Sequence, residues 1–157
     1  MSVPDPAPVP RTRRPLPGHG HAAVPVLAAV ALGGGLGSAA RYAALRVWPV
    51  PAHAFPWTTF AVNVSGCALI GVLLVTLTEG RRPAHPLTRP FLGTGVLGGF
   101  TTFSTCAQET ERLLSAGRPA PALAYAAATL AAALSAVWLA ATATRRLSAR
   151  PPGVIRR

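Results

Sequence analysis

Four stretches of this chain contain no Asp, Glu, Lys or Arg: residues 15–40, 47–78, 90–108 and 119–144. A bilayer's hydrocarbon core, ~30 Å thick, takes about 20 apolar residues in a helix rising ~1.5 Å per residue, so each run reaches across it, the third only marginally. In hydrocarbon a segment must satisfy its own N–H and C=O groups, and a helix does so unaided. Half of the residues are hydrophobic and 12% are charged, and the mean hydropathy is +0.39, a balance foreign to soluble globular domains. The expected fold is all-α, a polytopic membrane protein with transmembrane helices at 24–47, 57–78, 87–114 and 121–144. The connecting stretches VWPVPAHAFPW, EGRRPAHPLTRP and SAGRPAP carry the Pro and Gly that end helices.

Residues 24–145 are expected to form this one four-helix domain, with disordered basic cytoplasmic tails at 1–23 and 146–157. The leader's apolar run is long enough to span, and no compact apolar core with a small-residue cleavage site stands apart from it, so a signal peptide is not expected. The net charge of +11 comes from 15 arginines with no lysine. Nucleic-acid binding would need these clustered on a folded face. Most lie instead between or outside the apolar runs, where membrane flanks carry them. With four spans both termini share a side. That side carries eleven arginines (Arg11, Arg13, Arg14, Arg81, Arg82, Arg89, Arg145, Arg146, Arg150, Arg156 and Arg157). Arg41, Arg46, Arg112 and Arg118 lie on the other. Cytoplasmic loops of membrane proteins are enriched in arginine, which places both termini in the cytoplasm and the chain in the cell membrane.

Lipid gives apolar surface no reason to associate, so close backbone approach at small residues marks helix contacts. Gly33-x-x-x-Gly37 and Gly95-x-x-x-Gly99 are such motifs. A dinucleotide-binding reading of the first fails, since no acidic residue follows at the required distance. Asn63, in FAVNVSGCALIG, is an amide placed in hydrocarbon and must face protein or water. It is either an interhelical hydrogen-bonding group or a neutral donor for an anion. The stretch GGFTTFSTC, from Gly98 to Cys106, combines two glycines with Thr101, Thr102, Ser104 and Thr105, whose hydroxyls divert hydrogen bonds from a helical ladder. It predicts a break in the third helix. Carbonyls bared at such breaks coordinate cations, whereas hydroxyls and the ring edges of Phe100 and Phe103 suit an anion. Tyr125 and Thr129 share a helix face, for packing or for a pathway. Arg41 either snorkels or reaches a vestibule. Glu79, Glu109 and Glu111 sit near span ends as solvated carboxylates, and Cys67 and Cys106 are read as small buried residues with no metal set around them.

Three motifs, GGGLGSAARY, FAVNVSGCALIG and GVLGGFTTFSTC, resemble in order and spacing those of the Fluc (CrcB) fluoride channels, over roughly residues 25–145. The resemblance implies antiparallel dimers of four-helix subunits that pass fluoride out of the cytoplasm, with no enzymatic activity. It implies a structural sodium ion at the dimer centre, held by the backbone carbonyls of Gly98 and Thr101. The fluoride pathway it implies includes Asn63, Phe103, Ser104, Thr105, Tyr125, Thr129 and Arg41, and Glu109 matches the family's acid after the motif.

The chain departs from the pattern in two places: Cys106 stands where a second phenylalanine is expected, and Ala133 where a second hydroxyl is expected. With the arginine bias, this points to a heterodimer with an oppositely oriented homologue. Two other readings are a four-helix proton-coupled multidrug exporter, which would need a membrane-embedded carboxylate that the charge-free runs lack, and a non-conducting partner subunit.

Overall fold

The computed structural model describes residues 20–51, 54–80 and 84–149. Residues 1–19 and 150–157 of the two expected tails, and with them Arg11, Arg13, Arg14, Arg150, Arg156 and Arg157, lie outside these residues, as do Arg81 and Arg82, while 20–23 and 146–148, expected to be disordered, are helical. Every regular element among the described residues is helical: α1 (Gly20–Val47), α2 (Trp57–Thr78), a π-helical segment (Arg89–Leu97), α3 (Gly98–Phe100), α4 (Phe103–Ser115) and α5 (Pro119–Ser148). Among the described residues three helices, Ala23–Val47, Trp57–Thr78 and Pro119–Ser148, are long and apolar enough to cross a membrane.

The boundaries follow local chemistry. α2 coincides with the expected 57–78, bounded by Pro56 and Glu79. α1 begins at Gly20, four residues before the expected start. α5 runs beyond the expected 121–144 at both ends. Pro119 supplies the preset φ that suits a first helical position, alanines favour the helix, and Arg145 and Arg146 in the last turn complement its negative end.

The expected third helix, 87–114, is not one rod. It starts as π-helix, with the Gly98 N–H reaching back to the Gly93 carbonyl, passes through one turn of α3, and resumes as α4. The glycines of GGFTTFSTC are not where the backbone departs from the helix. Gly98 is helical at φ −65° and ψ −35°, whereas Thr101 (φ −74°, ψ 154°) and Thr102 (φ −147°, ψ 123°) are extended.

The glycines act through close approach to α1. A Cβ on Gly37 would run into the Val96 carbonyl and come within 2.8 Å of the Phe100 nitrogen. One on Gly95 would lie 2.9 Å from the Gly33 Cα, and one on Gly99 would strike the Gly34 carbonyl. The two Gly-x-x-x-Gly motifs are thus two halves of one contact, in which α1 and the third segment run parallel. α2 packs along α5, where a Cβ on Gly71 would sit 2.5 Å from the Val137 carbonyl. α4 folds onto α5 through Leu113, Ala122 and Tyr125, flanked by Phe55, Phe60 and Cys106. Leu32, Leu36 and Tyr42 on α1, and Leu130, Leu134 and Trp138 on α5, are 60% to 68% exposed. Apolar side chains turned outward at this level fit a surrounding of lipid or a partner helix rather than water.

Candidate functional site

The site is built at the interruption between α3 and α4. In an unbroken α-helix the Thr102 N–H would bond the Gly98 carbonyl four residues back. Here it donates to Asn63 Oδ1 at 2.8 Å, and Asn63 Nδ2 donates in return to the Thr102 carbonyl at 3.0 Å. One buried side-chain amide on α2 therefore takes the N–H that the ladder leaves at Thr102 and adds a second donor to the Thr102 carbonyl, which as N-cap already opens the ladder of α4. The next turn is capped locally. Thr102 Oγ1 accepts the Thr105 N–H at 3.1 Å and donates to Thr105 Oγ1 at 3.0 Å, so α4 starts with an N-cap threonine. The Thr105 N–H would otherwise reach the Thr101 carbonyl. The carbonyls of Gly98 and Thr101 are thus the outer two of the four, from Gly98 to Thr101, that lose their helical donors at the interruption. Of the two between them in sequence, the Gly99 carbonyl is served from α1, accepting from Arg41 Nε at 3.2 Å and Ser38 Oγ at 3.4 Å.

Beside the interruption lies a groove of about 620 Å³ between α2, α4 and α5. Asn63, Thr101, Phe103 and Thr129 line it, and so do Cys106 and Ala133, the two positions that depart from the expected pattern. The Phe103 ring is 88% exposed. Glu111 brings the only formal charge among the described residues lining the groove, at the α4 end, where it accepts from Ser115 Oγ at 2.7 Å.

Tyr125, Ser104, Thr105 and Arg41 are not among the lining residues. Tyr125 is fully buried, and its hydroxyl donates to Glu109 Oε2 at 2.6 Å while Thr59 Oγ1 donates to Oε1 at 2.8 Å. Glu109 is therefore a clamped carboxylate tying α2, α4 and α5 together, not the solvated one expected near a span end. A carboxylate with donors on both oxygens tolerates partial burial that a bare one does not. The Phe55 ring meets the Tyr125 ring edge-on at 5.2 Å. Thr129 Oγ1 donates to the Tyr125 carbonyl at 2.8 Å. Ser104 lies 3.3 Å from Thr102 Oγ1.

Sequence reasoning undervalued Thr102, and it missed Thr59 and Ser38 altogether. Thr59 carries a readable signal, since it precedes Asn63 by one helical turn on the same face of α2. Ser38 lies one residue after Gly37, in the motif that packs on the third segment.

The profile of the family described as CrcB-like protein, Camphor Resistance (CrcB), matches residues 28–141, from within α1 to near the end of α5. The chain belongs to the CrcB family. As a CrcB protein with membrane-crossing helices, it is a multi-pass membrane protein. It is 65% identical over 78% of its length to the Streptomyces coelicolor protein named fluoride-specific ion channel FluC 1, of which the match covers 79%. It is 62% identical over 70% of its length to a FluC 2 of Streptomyces avermitilis, covering 69% of that protein. A FluC 3 of the same organism is 49% identical over 80% of this chain and is covered to 61%.

Proposed function

We propose that this chain is a subunit of a fluoride-selective channel through which fluoride leaves the cytoplasm passively, lowering fluoride toxicity. Its relatives are named as channels, and no residue is assigned a catalytic role; the chain is not an enzyme. The observation that carries the reading is the groove, where Asn63, Phe103 and Thr129 meet beside an interrupted helix. Fluoride holds water strongly, so a pathway must replace that water with fixed donors and still release the ion. The Asn63 amide has a second N–H beyond the one given to Thr102, and a phenylalanine ring edge is electropositive. Neither is a charged trap. Thr129 has its proton on the Tyr125 carbonyl and must turn to donate. Tyr125 and Arg41 act from behind the groove in this reading, and Ser104 and Thr105 from the start of α4.

The segment from Arg89 to Ser115 is then the third of four spans, both termini are cytoplasmic, and the working unit is an antiparallel dimer. A sodium ion, structural and not transported, sits at its centre on the Gly98 and Thr101 carbonyls. The donor set fits: both are neutral oxygens without helical donors, the ligand type a hard cation takes at unwound helices. Bound there, sodium would supply positive charge to carbonyl oxygens that lack helical donors.

A second reading concerns assembly. Cys106 and Ala133 leave the groove without a second ring and a second hydroxyl, and the arginine bias favours one orientation. Streptomyces avermitilis has relatives of this chain under two FluC numbers. These features support a heterodimer in which an oppositely oriented homologue supplies the missing groups, with this chain as one conducting or non-conducting half. Expression alone in a strain lacking homologues tests both points. Fluoride resistance with crosslinked homodimers supports the channel and rejects the heterodimer, resistance only on co-expression supports both, and no resistance in either case rejects the channel.

A further inference from the structure

We infer that Asn63 is a positioning residue for the cation site. By holding the Thr102 peptide it keeps the third segment open and bares the Gly98 carbonyl, so one side chain serves both the cation site and the groove. The inference rests on the sodium reading above and deepens it. Asn63 is 7% exposed, and its carbonyl oxygen takes the Thr102 N–H at 2.8 Å. That bond is decisive, because a peptide N–H directed to α2 cannot also close the α-helical turn onto Gly98. Without Oδ1, the Thr102 N–H would be a buried donor with no partner, a costly state. The nearest remedy is rotation of Thr101 ψ from 154° into the helical range, which returns the N–H to Gly98 and turns the Thr101 carbonyl back along the helix. Both proposed sodium ligands would be lost in one movement.

The threonine cap is a second, weaker lock of the same kind. Thr102 Oγ1 holds the Thr105 N–H at 3.1 Å and so keeps it off the Thr101 carbonyl. The other face of Asn63 lines the groove. The amide that opens the cation site is thus also the one offered to an anion, and no further coupling element is needed between them.

An anion donor and a backbone clamp predict different results from two substitutions at one position. Asn63→Asp keeps an oxygen for the Thr102 N–H in either protonation state, whereas Asn63→Leu has similar bulk and keeps neither partner. The readout is thermal unfolding of the purified full chain in detergent, co-purified with its homologue if a heterodimer forms. Sodium chloride is titrated against potassium chloride and N-methylglucamine chloride at constant ionic strength.

The wild type should show sodium-specific stabilisation. Removing the clamp in Asn63→Leu should raise the half-maximal sodium concentration by about tenfold or more, while Asn63→Asp stays within about threefold of the wild type. Thr102→Val, which keeps the Asn63 clamp but loses the cap, should shift it by roughly threefold, and Asn63→Ala, which removes the clamp without adding bulk, carries the test with the same expected shift of about tenfold if Asn63→Leu does not fold. Equal sodium midpoints for the wild type, Asn63→Leu and Thr102→Val would overturn the clamp and leave sodium binding intact. A wild type indifferent to sodium would overturn the sodium site itself, and the clamp's purpose with it.

Discussion

The third segment meets α1 on one side and the α2/α5 pair on the other, and the two contacts are made of different material. Against α1 it presents backbone: Gly95 and Gly99 lie against Gly33 and Gly34 with no room for a single Cβ. Toward α2 and α5 it makes polar contacts, the Thr102 backbone with the Asn63 amide and the Glu109 carboxylate with Thr59 and Tyr125. Both contacts solve the same problem, association in a solvent where apolar area has no drive to be buried. The groove lies beside the second. Dry backbone packing provides the wall, and the polar contacts shape what stands beside it.

Substitutions on the two sides should therefore fail differently. The largest effect is expected at Gly37→Leu, whose side chain would meet the Val96 carbonyl and the Phe100 nitrogen. Overpacking against backbone cannot relax by rotamer change and exceeds the ~1–3 kcal/mol typical of cores, so size-exclusion chromatography should show loss of the folded protein. A folded and active Gly37→Leu would break the comparison. On the groove side Phe103→Leu should fold normally, because the ring is almost wholly exposed, and should lower fluoride flux roughly tenfold, the equivalent of one aromatic contact of about 1.5 kcal/mol.

Smaller effects sharpen the contrast. Thr129→Val removes a bond that stays within its own helix, so stability should fall by about 1 kcal/mol or less and flux only a few-fold. Glu79→Gln, which uncouples the Arg145 pair at 2.8 Å, should cost under about 0.5 kcal/mol in thermal melts, because both side chains are about half exposed and screened by salt. A larger loss would mean that this pair, at the ends of α2 and α5, helps to hold those helices together.

The long helices were legible because absence of charge over some twenty residues is a local property. α2 was readable to the residue, since Pro56 and Glu79 mark its ends. The meaning of GGFTTFSTC was legible only in part. Its glycines read as helix breakers because nothing local reveals that α1 lies against them. The partner of Thr102 is a side chain 39 positions away, so the extended residues at 101 and 102 depend on tertiary contact. Glu109 misled for the same reason. Position along the chain suggested solvent, and its two donors come from α2 and α5. Asn63 was picked out correctly as an amide in need of a partner, but its target on the third segment becomes visible only when α2 is placed beside the break.

The most direct test of the central claim is ion efflux from liposomes reconstituted with this chain, alone and together with its homologue, loaded with fluoride or with chloride. The account predicts rapid fluoride release with chloride retained in at least one of the two preparations, and a loss of that release in Phe103→Leu. Chloride leaving as fast as fluoride, or fluoride retained in both preparations, would contradict it.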